Sequence, residues 1–170
     1  MPNIFPYGYE EMPEVSFTVE SGEIYVGDPC YERDASLNTI LPAENGLWYA
    51  GVLYNEEGRV ARLMAVKDGY SYGFSKYYGD YELPVDSGQM SVWDNGDYAS
   101  PGWSYEEVCD LTLSREKCGT LEHGCASSSG WGDGCYLGMF YCNDNDEVIC
   151  VEIVFIDDDY EEEDEEEYDF

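Results

Sequence analysis

Bases are scarce in this chain. Its 170 residues hold seven, Arg33, Arg59, Arg62, Lys67, Lys76, Arg115 and Lys117, against 38 acids, for a formal net charge of -31. Phosphate contacts require Lys and Arg, so this balance argues against direct binding to DNA, RNA or an anionic membrane. Histidine is nearly absent, His123 standing alone, so a Cys–His pair has one histidine to draw on. No apolar run approaches the ~20 residues of a membrane span. The opening MPNIFPYGYEEMPE has neither a basic region nor an apolar stretch, which leads us to expect no signal peptide and a cytoplasmic chain. CxxC is missing too. The seven cysteines are odd in number and fit no zinc ribbon or finger, so free thiols in a reducing compartment are expected, with no metal and no cofactor.

Carboxylates and aromatics are what the chain does have. Eleven acids fall between Asp157 and Asp169, namely Asp157, Asp158, Asp159, Glu161, Glu162, Glu163, Asp164, Glu165, Glu166, Glu167 and Asp169, and the chain closes on Phe170. Setting those aside leaves 27 acids against seven bases, so residues 1–156 still carry about -20. The sequence therefore divides into an acidic domain, 1–156, and an acidic tail, 157–170. Charge of this size destabilises a compact body by self-repulsion and favours cationic partners.

The apolar pattern favours strands. EVSFTV (14–19) alternates and EIYVG (23–27) follows a Ser-Gly turn, which reads as a hairpin. LWYAGVLY (47–54) and RVARLMAV (59–66) flank NEEG as a second. GCASSS (124–129) and CYLGMFYC (135–142) flank GWGDG as a third. QMSVWD (89–94) ends at an Asn-Gly turn, and EVICVEIVFI (147–156) reads as a central strand buried on both faces. Ser104 and Glu107 stand at capping-box spacing ahead of Val108 and Leu111, which predicts a helix of about two turns. The expected fold is mainly β: one β-sandwich or partly open barrel of about 7–8 strands with one short helix.

Residues 28–46 and 67–84 read as irregular. The second, KDGYSYGFSKYYGDYELP, is dense in Tyr, Gly and Ser, the chemistry of an antibody paratope. Tyr70, Tyr72, Tyr77, Tyr78 and Tyr81 are therefore candidate contact residues, unless they simply cover a strand pair.

SGEIYVGDPCYE (21–32), VDSGQMSVWD (85–94), VCDLTLS (108–114) and GTLEHGCASSSGWGDGCY (119–136) resemble, in content and order, a family of small phage and bacterial proteins of unknown function. The resemblance implies a phage or prophage origin and no established activity. Asp28, Asp86 and Asp133 lie in its three most specific motifs. They are the candidate residues for a metal, small-molecule or hydrolytic site, against the plainer reading of Asp86 and Asp133 as turn residues. GWGDG lacks the Lys-Ser/Thr and helix of a P-loop, and NDNDE (143–147) lacks the EF-hand spacing.

Eleven charges over thirteen extended residues come at roughly one per 4 Å, near the ~3.4 Å of one DNA strand. An acidic run ending in Phe also resembles the tails by which single-stranded-DNA-binding proteins dock on partners. The expected function is a phage-type acidic inhibitor or decoy, not an enzyme. It would occupy the nucleic-acid-binding surface of a basic partner such as a host defence nuclease. The alternatives are the three-aspartate site and a virion or structural interaction protein.

Overall fold

A computed structural model describes residues 4–30, 39–71, 76–96 and 105–157, with the side chain of Tyr105 left aside. In chain order the elements are β1 (Glu10–Val19), β2 (Glu23–Gly27), β3 (Thr39–Pro42), β4 (Gly46–Tyr54), β5 (Val60–Lys67), β6 (Lys76–Val85), β7 (Gln89–Asp94), α1 (Tyr105–Thr112), β8 (Cys118–Leu121), β9 (Gly124–Ser128), β10 (Gly134–Cys142) and β11 (Val148–Val154). They form a six-stranded sheet, β1-β4-β5-β11-β10-β6, and a five-stranded sheet, β3-β2-β7-β9-β8. Every strand pairing within them is antiparallel. The sheets stay open, so of the two expected architectures the sandwich is the one found.

Alternation along the strands builds the core. Trp48, Ala50 and Val52 of β4, Leu63 and Ala65 of β5, and Val151 and Ile153 of β11 point inward from the larger sheet. Ile24 and Val26 of β2 and Met90 and Val92 of β7 meet them from the smaller. Each fully buried Val, Leu, Ile or Met among them contributes about 1.5–3 kcal/mol. The outer face of the smaller sheet is covered by α1, whose Val108 and Leu111 pack on Tyr25, Trp93 and Ala126. The outer face of the larger sheet is partly covered by Ile4, Phe5 and Tyr9, which pack with Met64, Val66 and Cys150. Among the described residues no helix is long and apolar enough to cross a membrane.

Several sequence expectations hold. β4 and β5 form the hairpin around NEEG, α1 spans two turns, and β11 lies inside its sheet with most side chains buried. Ser104, the expected cap, lies outside the described residues.

Others need correction. Among the described residues eleven strands form, not seven or eight, because β3, β6 and β8 arise where no clear alternation predicts them. β1 and β2 belong to different sheets, as do β9 and β10, so neither pair is a hairpin. Each turn is instead an arch between layers. The Tyr-rich segment is no free loop from Lys76 onward: it is β6, paired along its length with β10.

β1 is bent by a bulge. Its register with β4 shifts between Glu11 and Ser16, with positive φ at Glu14 (60°) and Val15 (41°) beside Pro13, which has no N–H to pair. The bend lets Pro13 O accept the Thr120 hydroxyl (2.9 Å) and Thr18 N–H reach Glu122 O (2.8 Å), tying β1 to the edge of the second sheet.

Candidate functional site

The three sequence motifs that carry Asp28, Asp86 and Asp133 meet at one end of the sandwich. Asp28 follows β2 and is fully buried. Its Oδ1 accepts from the Cys30 N–H (2.8 Å) and the Ser87 hydroxyl (2.6 Å), and its Oδ2 from the N–H groups of Asp86 (2.9 Å) and Ser87 (2.8 Å). Four donors fill the acceptor sites of an ionised carboxylate. The GWGDG arch joins the same junction through Ser129 N–H to Gly88 O, 3.0 Å.

The motifs converge, but their carboxylates do different things. Asp28 faces inward and holds the turn between β6 and β7, while Asp86 and Asp133 are exposed. Among the described residues no group of three His, Cys, Asp or Glu side chains is placed to hold a metal. The junction works as a latch.

Cys30 and His123 are not brought together. Gln89, at the start of β7, donates to Cys30 Sγ (3.5 Å), whereas Asp94, at its end, lies 3.9 Å from His123. Six residues of strand separate these ends, about 17 Å at ~3.3 Å per residue. Burial pushes the Cys30 thiol up, and Asp28 adds to that. A raised thiol is a weak nucleophile. All seven cysteines are free.

The tyrosines divide by environment. Tyr70 donates to Glu44 Oε2 (2.9 Å), Tyr81 packs edge-on against Phe140 with centroids 5.2 Å apart, and Tyr78 rests on the core. Tyr72 lies outside the described residues. Tyr77 is 56% exposed and meets Tyr141 edge-on at 6.1 Å. The register sets Tyr77, Asp80 and Glu82 of β6 opposite Tyr141, Met139 and Leu137 of β10. The outer rim of the larger sheet thus carries an apolar strip, with Leu137 and Tyr77 exposed, edged by two acids. Hydrogen bonding to Asp80 raises the Tyr77 hydroxyl's pKa.

The acids stay on the surface. Among the described residues only Asp28 and Asp94 are buried carboxylates. Arg62 pairs with Glu152 (3.6 Å), Lys67 with Glu44 (3.3 Å) and Lys76 with Asp146 (2.9 Å), so three of the few bases are already neutralised. Both edges of the larger sheet are acidic, with Glu10, Glu11 and Glu14 exposed on β1 and Asp80 and Glu82 on β6. Of the predicted tail contacts, Asp157 is half-buried. Asp158, Asp159, Glu161, Glu162, Glu163, Asp164, Glu165, Glu166, Glu167, Asp169 and Phe170 lie outside the described residues.

Sequence reading picked out Tyr77 but missed Met139 and Leu137, since the strip joins β6 to β10 and only pairing aligns them. No family model, no curated protein and no solved structure matches this chain.

Proposed function

We propose that this chain is an acidic binding protein that occupies the basic, nucleic-acid-binding surface of a partner, in the setting of phage counter-defence. The supporting observation is the placement of its charge. Nearly every described carboxylate faces solvent, and three bases are spent on ion pairs with acids. A surface of one sign steers a cationic partner and repels nucleic acid.

The strip of Tyr77, Met139 and Leu137 supplies what charge alone lacks. Interfaces take most of their energy from a few desolvated aromatic and aliphatic side chains inside a polar rim. Here the rim is Asp80 and Glu82, which fits a partner whose apolar patch is bordered by Lys or Arg. Covering the exposed edge of β6 would also shield a strand whose outer backbone groups are unpaired by the sheet. The three-aspartate reading has less support, because four protein donors already occupy Asp28.

The test is salt. Binding to a partner recovered on the immobilised chain should weaken steeply from about 50 to 500 mM NaCl, because screening removes the attraction. Asp80→Lys with Glu82→Lys should weaken it further, and Tyr77→Ala should raise the off-rate. Salt-insensitive binding contradicts the proposal.

A further inference from the structure

Beside the Asp28 latch lies a cavity of about 340 Å³ whose lining carries no Asp or Glu. On a chain with 38 acids that is unusual, and two of the seven bases, Arg59 and Lys117, are in the wall. They arrive from different turns. Arg59 follows the β4–β5 turn, and Lys117 precedes β8. The GWGDG arch closes the other side with Gly130, Trp131 and Gly132.

The two bases are fixed by groups that leave their charge in place. The Arg59 guanidinium lies 4.3 Å over the Trp131 ring, and its Nη1 donates to Gly130 O at 3.3 Å. Lys117 Nζ donates to Gly58 O at 2.7 Å. Neither base forms an ion pair among the described residues, in contrast to Arg62, Lys67 and Lys76. One carbonyl each leaves the guanidinium four further N–H donors and the ammonium two.

The backbone shows the same arrangement. Lys117 has φ 62°, a left-handed conformation that costs a non-glycine residue about 1–3 kcal/mol. Around this cavity the other left-handed positions, Gly58, Gly88, Gly130 and Gly132, are all glycine. At position 117 the chain keeps a cation where glycine would relieve the strain. The Ser128 side chain, also in the wall, adds a hydroxyl with no hydrogen bond in the described structure. The Thr112, Ser114 and Ser129 hydroxyls already donate, to Gln89 Oε1, Leu111 O and Gly132 O.

We infer that this cavity binds a phosphate monoester, with Arg59 and Lys117 holding the phosphate and Ser128 donating to it. The charges match, since a monoester carries about -1.5 to -2 at neutral pH against two fixed cations. Arginine presents paired N–H groups that suit phosphate oxygens, and lysine adds a point charge. The volume exceeds what the phosphate alone fills and falls in the range of small-ligand pockets, about 300–1,000 Å³. Trp131, 54% exposed at the mouth, offers an aromatic edge to the organic half of the ligand. The site concerns a small molecule and is independent of the basic-partner reading.

The experiment is a titration of the full chain with phenyl phosphate, and separately with inorganic phosphate, followed by the indole N–H resonance of Trp131. Trp131→Phe assigns that resonance. Phenyl phosphate should shift it saturably, and inorganic phosphate should do so more weakly. Arg59→Gln and Lys117→Gly should each lower affinity at least about tenfold, the loss of one charge-assisted contact. Lys117→Gly is the sharper variant, since it relieves the left-handed backbone and keeps the chain folded while removing the cation. Absence of a saturable shift up to about 10 mM of either probe would overturn the inference. So would saturable binding that both variants leave unchanged.

Discussion

Asp28 grips Ser87 twice, at its backbone N–H (2.8 Å) and at its hydroxyl (2.6 Å), across 59 residues of sequence. That contact fixes the turn into β7 against the exit of β2. Asp28→Asn keeps the shape but sets an amide NH2 against donors, so it should cost about 2–4 kcal/mol, while Ser87→Ala should cost about 1. Urea midpoints with unchanged slopes measure both. A fully stable Asp28→Asn protein would contradict the latch.

Gly124 stands opposite Trp93 in the β7–β9 pairing, and a methyl group there would lie 1.9 Å from the indole Cε3. Neither the strand backbone nor a fully buried ring can yield that space. Gly124→Ala should therefore destabilise by more than about 3 kcal/mol. Gly132→Ala meets nothing within 4 Å and strains only its φ of 109°, so its cost should stay near 1–2 kcal/mol. Thermal melts of the two variants compare them directly.

Glu44 gives a pH signature. Burial works to raise its carboxyl, but the Asn143 amide, the Tyr70 hydroxyl and Lys67 outweigh it, and the pKa lies below the ordinary value. A depressed carboxyl contributes stability that is present above the unfolded pKa, about 4.3, and is lost as pH falls through the folded one. The stability difference between the natural chain and Glu44→Gln should therefore shrink below about pH 4.5. The group keeps contact with water, so the change should stay under about 1 kcal/mol. Taking the difference cancels the relief of self-repulsion that acid brings to both proteins.

The tail extends a body that is itself acidic. Because residues 1–156 carry about -20 without it, removing residues 157–170 should weaken partner binding and reduce its salt dependence without abolishing it. Neutralising the tail acids should do the same, and Phe170→Ala should change little if the tail acts as a charged strand. Affinity measured on the three variants distinguishes that from a docking peptide, for which Phe170→Ala alone would remove the tail's contribution.

Much of the architecture is readable residue by residue, and what is not has a physical cause. β11 announces itself through Val148, Ile149, Cys150, Val151 and Ile153, apolar on both faces as an interior strand must be. β6 does not, because Tyr77, Tyr78 and Tyr81 suit either face and its register comes from β10. The Ser21-Gly22 and GWGDG turns are conformationally alike whether the next strand pairs with the last or crosses to the other sheet. That choice is made by the core. The latch was visible only as three motifs, since Asp28 and its partners on the 86–87 turn lie some 58 residues apart. Arg59 and Lys117 were ordinary turn residues until folding set them in one wall.

An acidic body that takes the place of nucleic acid on a basic partner must displace it. The direct measurement is displacement: a fluorescent DNA duplex is bound to a purified partner recovered on this chain, and its anisotropy is followed as the full chain is added. The duplex should be released stoichiometrically, and Asp80→Lys with Glu82→Lys should release it poorly. A partner that holds the duplex and this chain together, with anisotropy undiminished at saturation, would contradict it.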